Sequence, residues 1–201
     1  GGTISVIATD DGLNTGGTNE AECAITINGG NITVNAAGDG IDANGDIVFN
    51  GGAVTVSGPE NSGNGPLDCG DRSSIYTNGG TLVAYGGMFQ ANADNPDTAS
   101  TQCCVRVGLS ARAGTTVTLA DSDGRVLYEI TLEKSATNIY ISLPSMAQGE
   151  TYTVSANGSA VSTLTMDGVF ATNLSGVGGM GGNGGMGGNG GMGGMRPGGR
   201  W

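Results

Sequence analysis

The sequence predicts an all-β protein: a parallel β-helix, a small β module packed on it, and an extended glycine-rich tail. Three observations lead there. Glycine supplies 41 of 201 residues, about three times its usual share. A Gly-Gly pair followed by a short alternating strand occurs four times, as GGTISV from Gly1, GGNITV from Gly29, GGAVTV from Gly51 and GGTLVA from Gly79. Residues 176–201 hold 15 of the glycines in a Met/Gly/Asn pattern that repeats every six residues. Aromatic residues at 4% and charged residues at 12% fit neither a coiled coil nor a helical bundle. Collagen is excluded because glycine keeps no three-residue period.

The repeats occupy residues 1–104. Ahead of the last three Gly-Gly pairs lies another alternating strand that ends in asparagine: AITIN to Asn28, DIVFN to Asn50 and SIYTN to Asn78. After the pairs comes a third signal, Asp11-Gly12-Leu13-Asn14 and Asp39-Gly40-Ile41-Asp42, with Asn64-Gly65-Pro66-Leu67-Asp68 as a stretched version. Each repeat thus reads as strand, Asn-Gly-Gly corner, strand, Asp-Gly corner, short strand. Asn and Gly supply the positive φ angles that sharp corners demand. Alternation places Ile4, Val6, Ile25, Ile27, Ile32, Val34, Ile47, Phe49, Val54, Val56, Ile75, Leu82 and Ala84 on one side, the core side. An antiparallel sandwich of Asn-Gly hairpins is the competing pattern. Three turn types recurring in fixed order favour the solenoid.

Residues 105–175 lose the repeat. TTVTLADSDGRVLYEITL reads as a hairpin turning at Ser122-Asp123-Gly124, with Val117, Leu119, Val126, Leu127 and Ile130 for a core. NIYISL, ETYTVSAN and AVSTLTM supply three further strands. In residues 176–201 a three-residue turn would align Met180, Asn183, Met186, Asn189, Met192 and Met195 on one edge, open to close approach by another backbone. Arg196, Arg200 and Trp201 at its end suit an acidic wall, so the tail is expected to strap molecules together.

Charge narrows the function. The chain carries 18 acidic and 7 basic residues, net −11, and no histidine. Residues 1–104 hold 12 of the acidic residues against Arg72 alone. Such a surface repels phosphate backbones, so nucleic acid is not an expected partner. No apolar run approaches the ~20 residues of a membrane span. Cys23, Cys69, Cys103 and Cys104, with a start at Gly1, fit a secreted, extracellular chain with its signal peptide removed, and disulfides are expected in an oxidising setting. Four cysteines allow three full pairings, and the sequence does not choose among them.

Two sets of residues carry the candidate chemistry. Asp11, Asp39 and Asn64 fall at equivalent places, as do Asn14, Asp42 and Asp68, with Asp10 beside the first column. Stacked at about 4.8 Å, these oxygens would repel one another, and calcium, a hard cation with oxygen ligands, would relieve that repulsion. The plainer account is that these Asp and Asn side chains only make turns by bonding their own backbone. Catalysis has little to work with. Without histidine there is no Ser-His or Cys-His nucleophile, and the only carboxylates placed to act as a pair are Asp39, Asp42 and Asp68. The chain is therefore expected not to be an enzyme.

The run GGNITVNAAGDGIDANGDIVFNGGAVTV, with Gly65-Pro66-Leu67-Asp68, Ser100-Thr101-Gln102, Asp121-Ser122-Asp123-Gly124 and Gly149-Glu150-Thr151-Tyr152, resembles a family of secreted bacterial carbohydrate-binding β-helix proteins over most of residues 1–160. The resemblance implies a right-handed parallel β-helix, bound calcium, and affinity for acidic polysaccharides of the pectin type or for cellulose. Two functions follow as expectations. The first is a non-enzymatic extracellular structural protein that self-assembles into a filament or matrix, because an open first repeat invites another strand. The alternative is a calcium-assisted carbohydrate-binding module.

Overall fold

A computed structural model describes residues 1–61, 63–87 and 94–174. The repeats give β1 (Thr3–Ala8), β2 (Leu13–Thr15), β3 (Ile25–Ala36), β4 (Ile41–Ala43), β5 (Ile47–Ser57), β6 (Leu67–Cys69), β7 (Ile75–Thr77) and β8 (Thr81–Gly86). The remainder gives β9 (Cys104–Ala111), β10 (Thr116–Ala120), β11 (Val126–Thr131), β12 (Ala136–Ser142), β13 (Thr151–Ala156), β14 (Ser159–Thr165) and β15 (Phe170–Thr172). The chain is all-β, as the alternation predicts. Among the described residues no helix is long and apolar enough to cross a membrane.

Like residues of successive repeats stack. β1, β3, β5 and β8 pair in parallel with Ile4 on Ile32, Ile32 on Val54 and Val54 on Leu82. The short strands β2, β4 and β6 form a separate parallel sheet of three. Asn-Gly-Gly corners join the sides. At the second glycine φ is positive, +92° in Gly52 and +82° in Gly80, and a Cβ on Gly52 would lie 2.6 Å from the Gly30 carbonyl oxygen. Only glycine fits both demands.

The large sheet is mixed, which departs from the uninterrupted parallel stack expected. Its order is β1-β3-β5-β8-β12-β9-β15, with β7 paired to β5. β12 runs antiparallel to both β8 and β9. The Gly-Gly repeat ends with β8, and NIYISL then brings a strand from further along the chain against its free edge. β10, β11, β13 and β14 make an antiparallel sheet of four. The expected hairpin is β10–β11, with a bulge at Leu119/Ala120 that turns Val126 outward.

Two cores lie on opposite faces of the large sheet. Leu82 and Ala84 of β8 join Ile32, Val34, Val54, Val56 and Phe49 in the core closed by the three-stranded sheet. Val83 and Tyr85 of the same strand join Val105, Val107, Ile139, Ile141 and the inner face of the four-stranded sheet. Strand alternation distributes each to its side. Ile4 departs from its predicted burial, with 52% exposure at the outermost strand.

Candidate functional site

The Asp-Gly corners and the strands that follow them, β2, β4 and β6, bring the acidic residues together. Leu13, Ile41 and Leu67 pair in register and face the core, so the next residues face outward. Asn14 therefore pairs with Asp42, and Asp42 with Asp68, the column that the sequence predicts. The other predicted column needs one correction. The register that sets Leu13 on Ile41 and Ile41 on Leu67 sets Asp11 on Asp39 and Asp39 on Gly65, not on Asn64. Gly65 contributes a backbone donor instead, its N–H reaching Asp39 Oδ1 at 2.6 Å.

Carboxylate oxygens of Asp11, Asp39 and Asp42 all lie within 4.8 Å of one another. The Asn14 amide holds two of them, donating to Asp11 Oδ2 and Asp42 Oδ2 at 2.8 Å each. The Asp39 N–H donates to Asp11 Oδ1 at 2.8 Å. Asp10 and Asp68 lie outside this group of three. Asp10 is exposed, and its backbone carbonyl accepts the Gly38 N–H. Asp46, at the opposite corner, accepts the Ser74 N–H and takes no part.

Mutual repulsion and burial show in the acidities. Asp39, only 9% exposed, is pushed up to about 6 by burial, against the pull of the Gly65 N–H, with Asp11 and Asp42 adding repulsion. Asp68 is pushed up to about 7 by burial and then by Asp94 and Asp39. Burial and the Asp11 charge raise Asp42 as well. Asp94 belongs to the same acidic column but not to the predicted set. Its Oδ1 accepts the Cys69 N–H at 3.2 Å, and burial raises it too. The signal for Asp94 was present: it follows Asp68 by 26 residues, the spacing that separates Asp68 from Asp42, although the run Asp94-Asn95-Pro96-Asp97 carries no Asp-Gly corner.

Beside the carboxylates lies an open cleft of about 320 Å³ whose walls include Glu20, Asp42, Asn44, Asp68 and Asp71. Among the described residues no aromatic ring lines it. Glu20 is held at its rim by Arg72, whose Nη2 lies 3.0 Å from Glu20 Oε1. The described walls of the cleft are thus rich in hydrogen-bonding oxygens.

The disulfides expected are not formed. Cys23, Cys69, Cys103 and Cys104 are all free thiols. Cys103 lies in the core under the four-stranded sheet and Cys104 in the other, while the Cys69 thiol donates to the Ser73 carbonyl and Asp94 Oδ1. The tail residues Met180, Asn183, Met186, Asn189, Met192, Met195, Arg196, Arg200 and Trp201 lie outside the described residues.

The fold is all-β and presents an oxygen-rich cleft. A family model described as "carbohydrate-binding domain-containing protein" matches residues 1–126, and the chain belongs to that family. No curated protein and no solved structure matches the chain.

Proposed function

We propose that this chain is a non-catalytic, extracellular carbohydrate-binding module that takes a polysaccharide at the acidic cleft, with calcium held by Asp11, Asp39 and Asp42. One observation carries the reading: the family match over residues 1–126 contains every residue of the cleft and of the carboxylate group. We further read the parallel-paired strands of residues 3–86 as rungs of a right-handed parallel β-helix, the fold that the sequence resemblance implies.

The donor set suits calcium. All three groups are carboxylates, hard oxygen ligands of the kind this ion prefers, and their convergence, with the pKa values of Asp39 and Asp42 raised by burial and by their neighbours, calls for a cation. When bound, calcium supplies positive charge that offsets their repulsion and a contact for sugar hydroxyl or carboxylate oxygens. The chain's own residues organise the place. Asn14 bridges Asp11 and Asp42, and the Gly65 N–H fixes Asp39. A cleft whose described walls carry oxygens and no aromatic ring recognises sugars through hydrogen bonds and charge, which favours acidic or other cell-wall polysaccharides over ring stacking.

Calorimetric titration of polygalacturonate and soluble cellulose fragments, with calcium and with chelator, tests the reading. The expected result is binding with calcium, lost with chelator and in Asp39→Ala combined with Asp42→Ala. Calcium alone should raise Tm, by about 2.7 kcal/mol of stability at a hundredfold excess over Kd. Absence of binding to every polysaccharide at saturating calcium overturns it.

End-to-end assembly is the second reading, favoured by the outer strand β1, where Ile4 is 52% and Ile7 87% exposed. An unpaired apolar edge invites a further strand. Sedimentation of the full chain across a concentration series tests it, and a single monomeric species at every concentration overturns it.

A further inference from the structure

The single lysine of the sequence, Lys134, sits in the loop between β11 and β12 and reaches back to the repeats. Its ammonium donates to the Ala36 carbonyl at 2.6 Å and to the Gly58 carbonyl at 3.3 Å. Both acceptors lie just past the register that pairs Asn35 with Ser57. The repeat before shows what normally fills such a place: the Ala8 carbonyl accepts the Ala37 N–H. One repeat later the equivalent donor to Ala36 is residue 59, a proline, which has no N–H. The next amide is diverted as well, since Gly87 donates to the Pro59 carbonyl rather than to Gly58. Two adjacent carbonyls thus lose their ladder donors, and Lys134 supplies both.

Those carbonyls open the two corners that build the acidic site. Ala36 begins the corner that carries Asp39, and Gly58 begins the corner that ends at Gly65 and Pro66. A Cβ on Gly58 would lie 2.7 Å from the Pro66 Cα, so the start and end of that corner are in contact. Neighbours of Lys134 tighten the same join. Glu133 accepts from Asn35 Nδ2, and the Ser135 N–H donates to Glu60.

We propose that Lys134 is a positioning residue for the Asp11–Asp39–Asp42 site: by replacing the amide that Pro59 lacks, it fixes the spacing of the two corners and so sets the affinity for the cation. The proposal rests on the calcium reading above. It gives residues 127–174, beyond the family match, a part in ligand binding. Outer residues that orient metal ligands typically govern affinity by ten- to a hundredfold.

The test uses the full chain as wild type, Lys134→Met, Pro59→Ala and the double variant. Calcium affinity is read by calorimetry, and amide exchange at Asp39 and Gly65 is read in metal-free protein. Lys134→Met should weaken calcium by about tenfold or more and speed exchange at these two amides, while amides of β10 and β13 stay protected. Pro59→Ala restores an N–H for the Ala36 carbonyl but not for the Gly58 carbonyl, so the double variant should recover part of the affinity and protection lost in Lys134→Met. Recovery distinguishes positioning from general destabilisation. Unchanged calcium affinity and unchanged exchange in folded Lys134→Met overturn the proposal. If Lys134→Met does not fold, a double variant that folds no better, or that folds and shows no gain in affinity or exchange protection over Lys134→Met alone, overturns it. If wild type binds no calcium, the functional reading fails, and the exchange measurement still decides whether Lys134 positions the two corners.

Discussion

Cys103 and Cys104 are neighbours in the chain whose side chains lie in two different cores, at 4% and 0% exposure. The central sheet separates those cores, and alternation along the strand sends one thiol to each face. Burial pushes the Cys104 thiol far up and the Cys69 thiol up to about 12, where thiolate chemistry is suppressed. Cys69 and Cys104 should therefore resist a thiol reagent in the native protein, Cys23 and Cys103 should resist it because they are buried, and all four should react together on unfolding. Tm should be equal with and without reductant. A fall in Tm on reduction would show that disulfides hold the chain together after all.

The acidic column makes stability depend on pH in an uncommon direction. Folded Asp39 titrates at about 6 and Asp68 at about 7, both above the ordinary 3.8. Between about pH 4 and 7 the folded protein keeps protons that the unfolded chain has released, so stability falls as pH rises through that window. Metal-free protein should melt several degrees lower at pH 8 than at pH 5. Asp68→Asn should flatten that slope and raise Tm at pH 8, and calcium should offset the loss in wild type. A melting temperature that climbs from pH 5 to 8 in chelator would contradict the raised pKa values of Asp39 and Asp68.

Two glycine substitutions should separate crowding from backbone strain. A Cβ on Gly40 would collide with the Val56 side chain and the Pro66 carbonyl, whereas Gly158 has φ +77° with nothing within 4 Å. Gly158→Ala should cost only the left-handed backbone term, about 1 kcal/mol, and leave calcium binding intact. Gly40→Ala should cost about 1–3 kcal/mol through overpacking and weaken calcium, because Asp39 is the adjacent residue. Equal losses in the two variants, read by melting and calorimetry, would show that the corner can relax.

Much of this was legible because the repeats stack like on like. The Asn14–Asp42–Asp68 column follows from spacings of 28 and 26 residues, and the same spacings carry Asp11 through Asp39 to Gly65. Asn64 misleads because its side chain resembles Asp39 while the register lies one residue on. The outward turn of Val126 depends on a bulge that composition does not announce. Asp94 lies 26 residues past Asp68 but was missed because no Asp-Gly corner marks its segment, and Lys134 was not legible because it acts on distant repeats from a segment with no period of its own. The same holds for β12, where Ile139 and Ile141 face one core and Tyr140 the other. A strand apolar on both faces shows that it is central but does not show which edge it joins.

The asparagines that close each Gly-Gly corner form a ladder whose contribution can be measured. Asn50 Nδ2 donates to Asn28 Oδ1 at 2.9 Å, Asn78 Nδ2 donates to Asn50 Oδ1 at 3.1 Å, and the Thr101 N–H donates to Asn78 Oδ1 at 3.2 Å. The amides of Asn50 and Asn78 both give and accept, in one direction along the stack, while that of Asn28 accepts, so Asn50 takes part in two bonds. Asn50→Ala removes both and should cost about 1 kcal/mol, because exposed bonds exchange readily with water. That amounts to roughly 2–4 °C in Tm for a chain of this size. Asn50→Asp keeps the bond from Asn78 but, when ionised, has no proton for Asn28. Its deficit should therefore shrink below about pH 4, where a protonated carboxyl can donate again. The Asn28→Ala and Asn50→Ala losses should sum to more than the double variant shows, since the two share one bond. Strict additivity would mean that the ladder is geometry without energy.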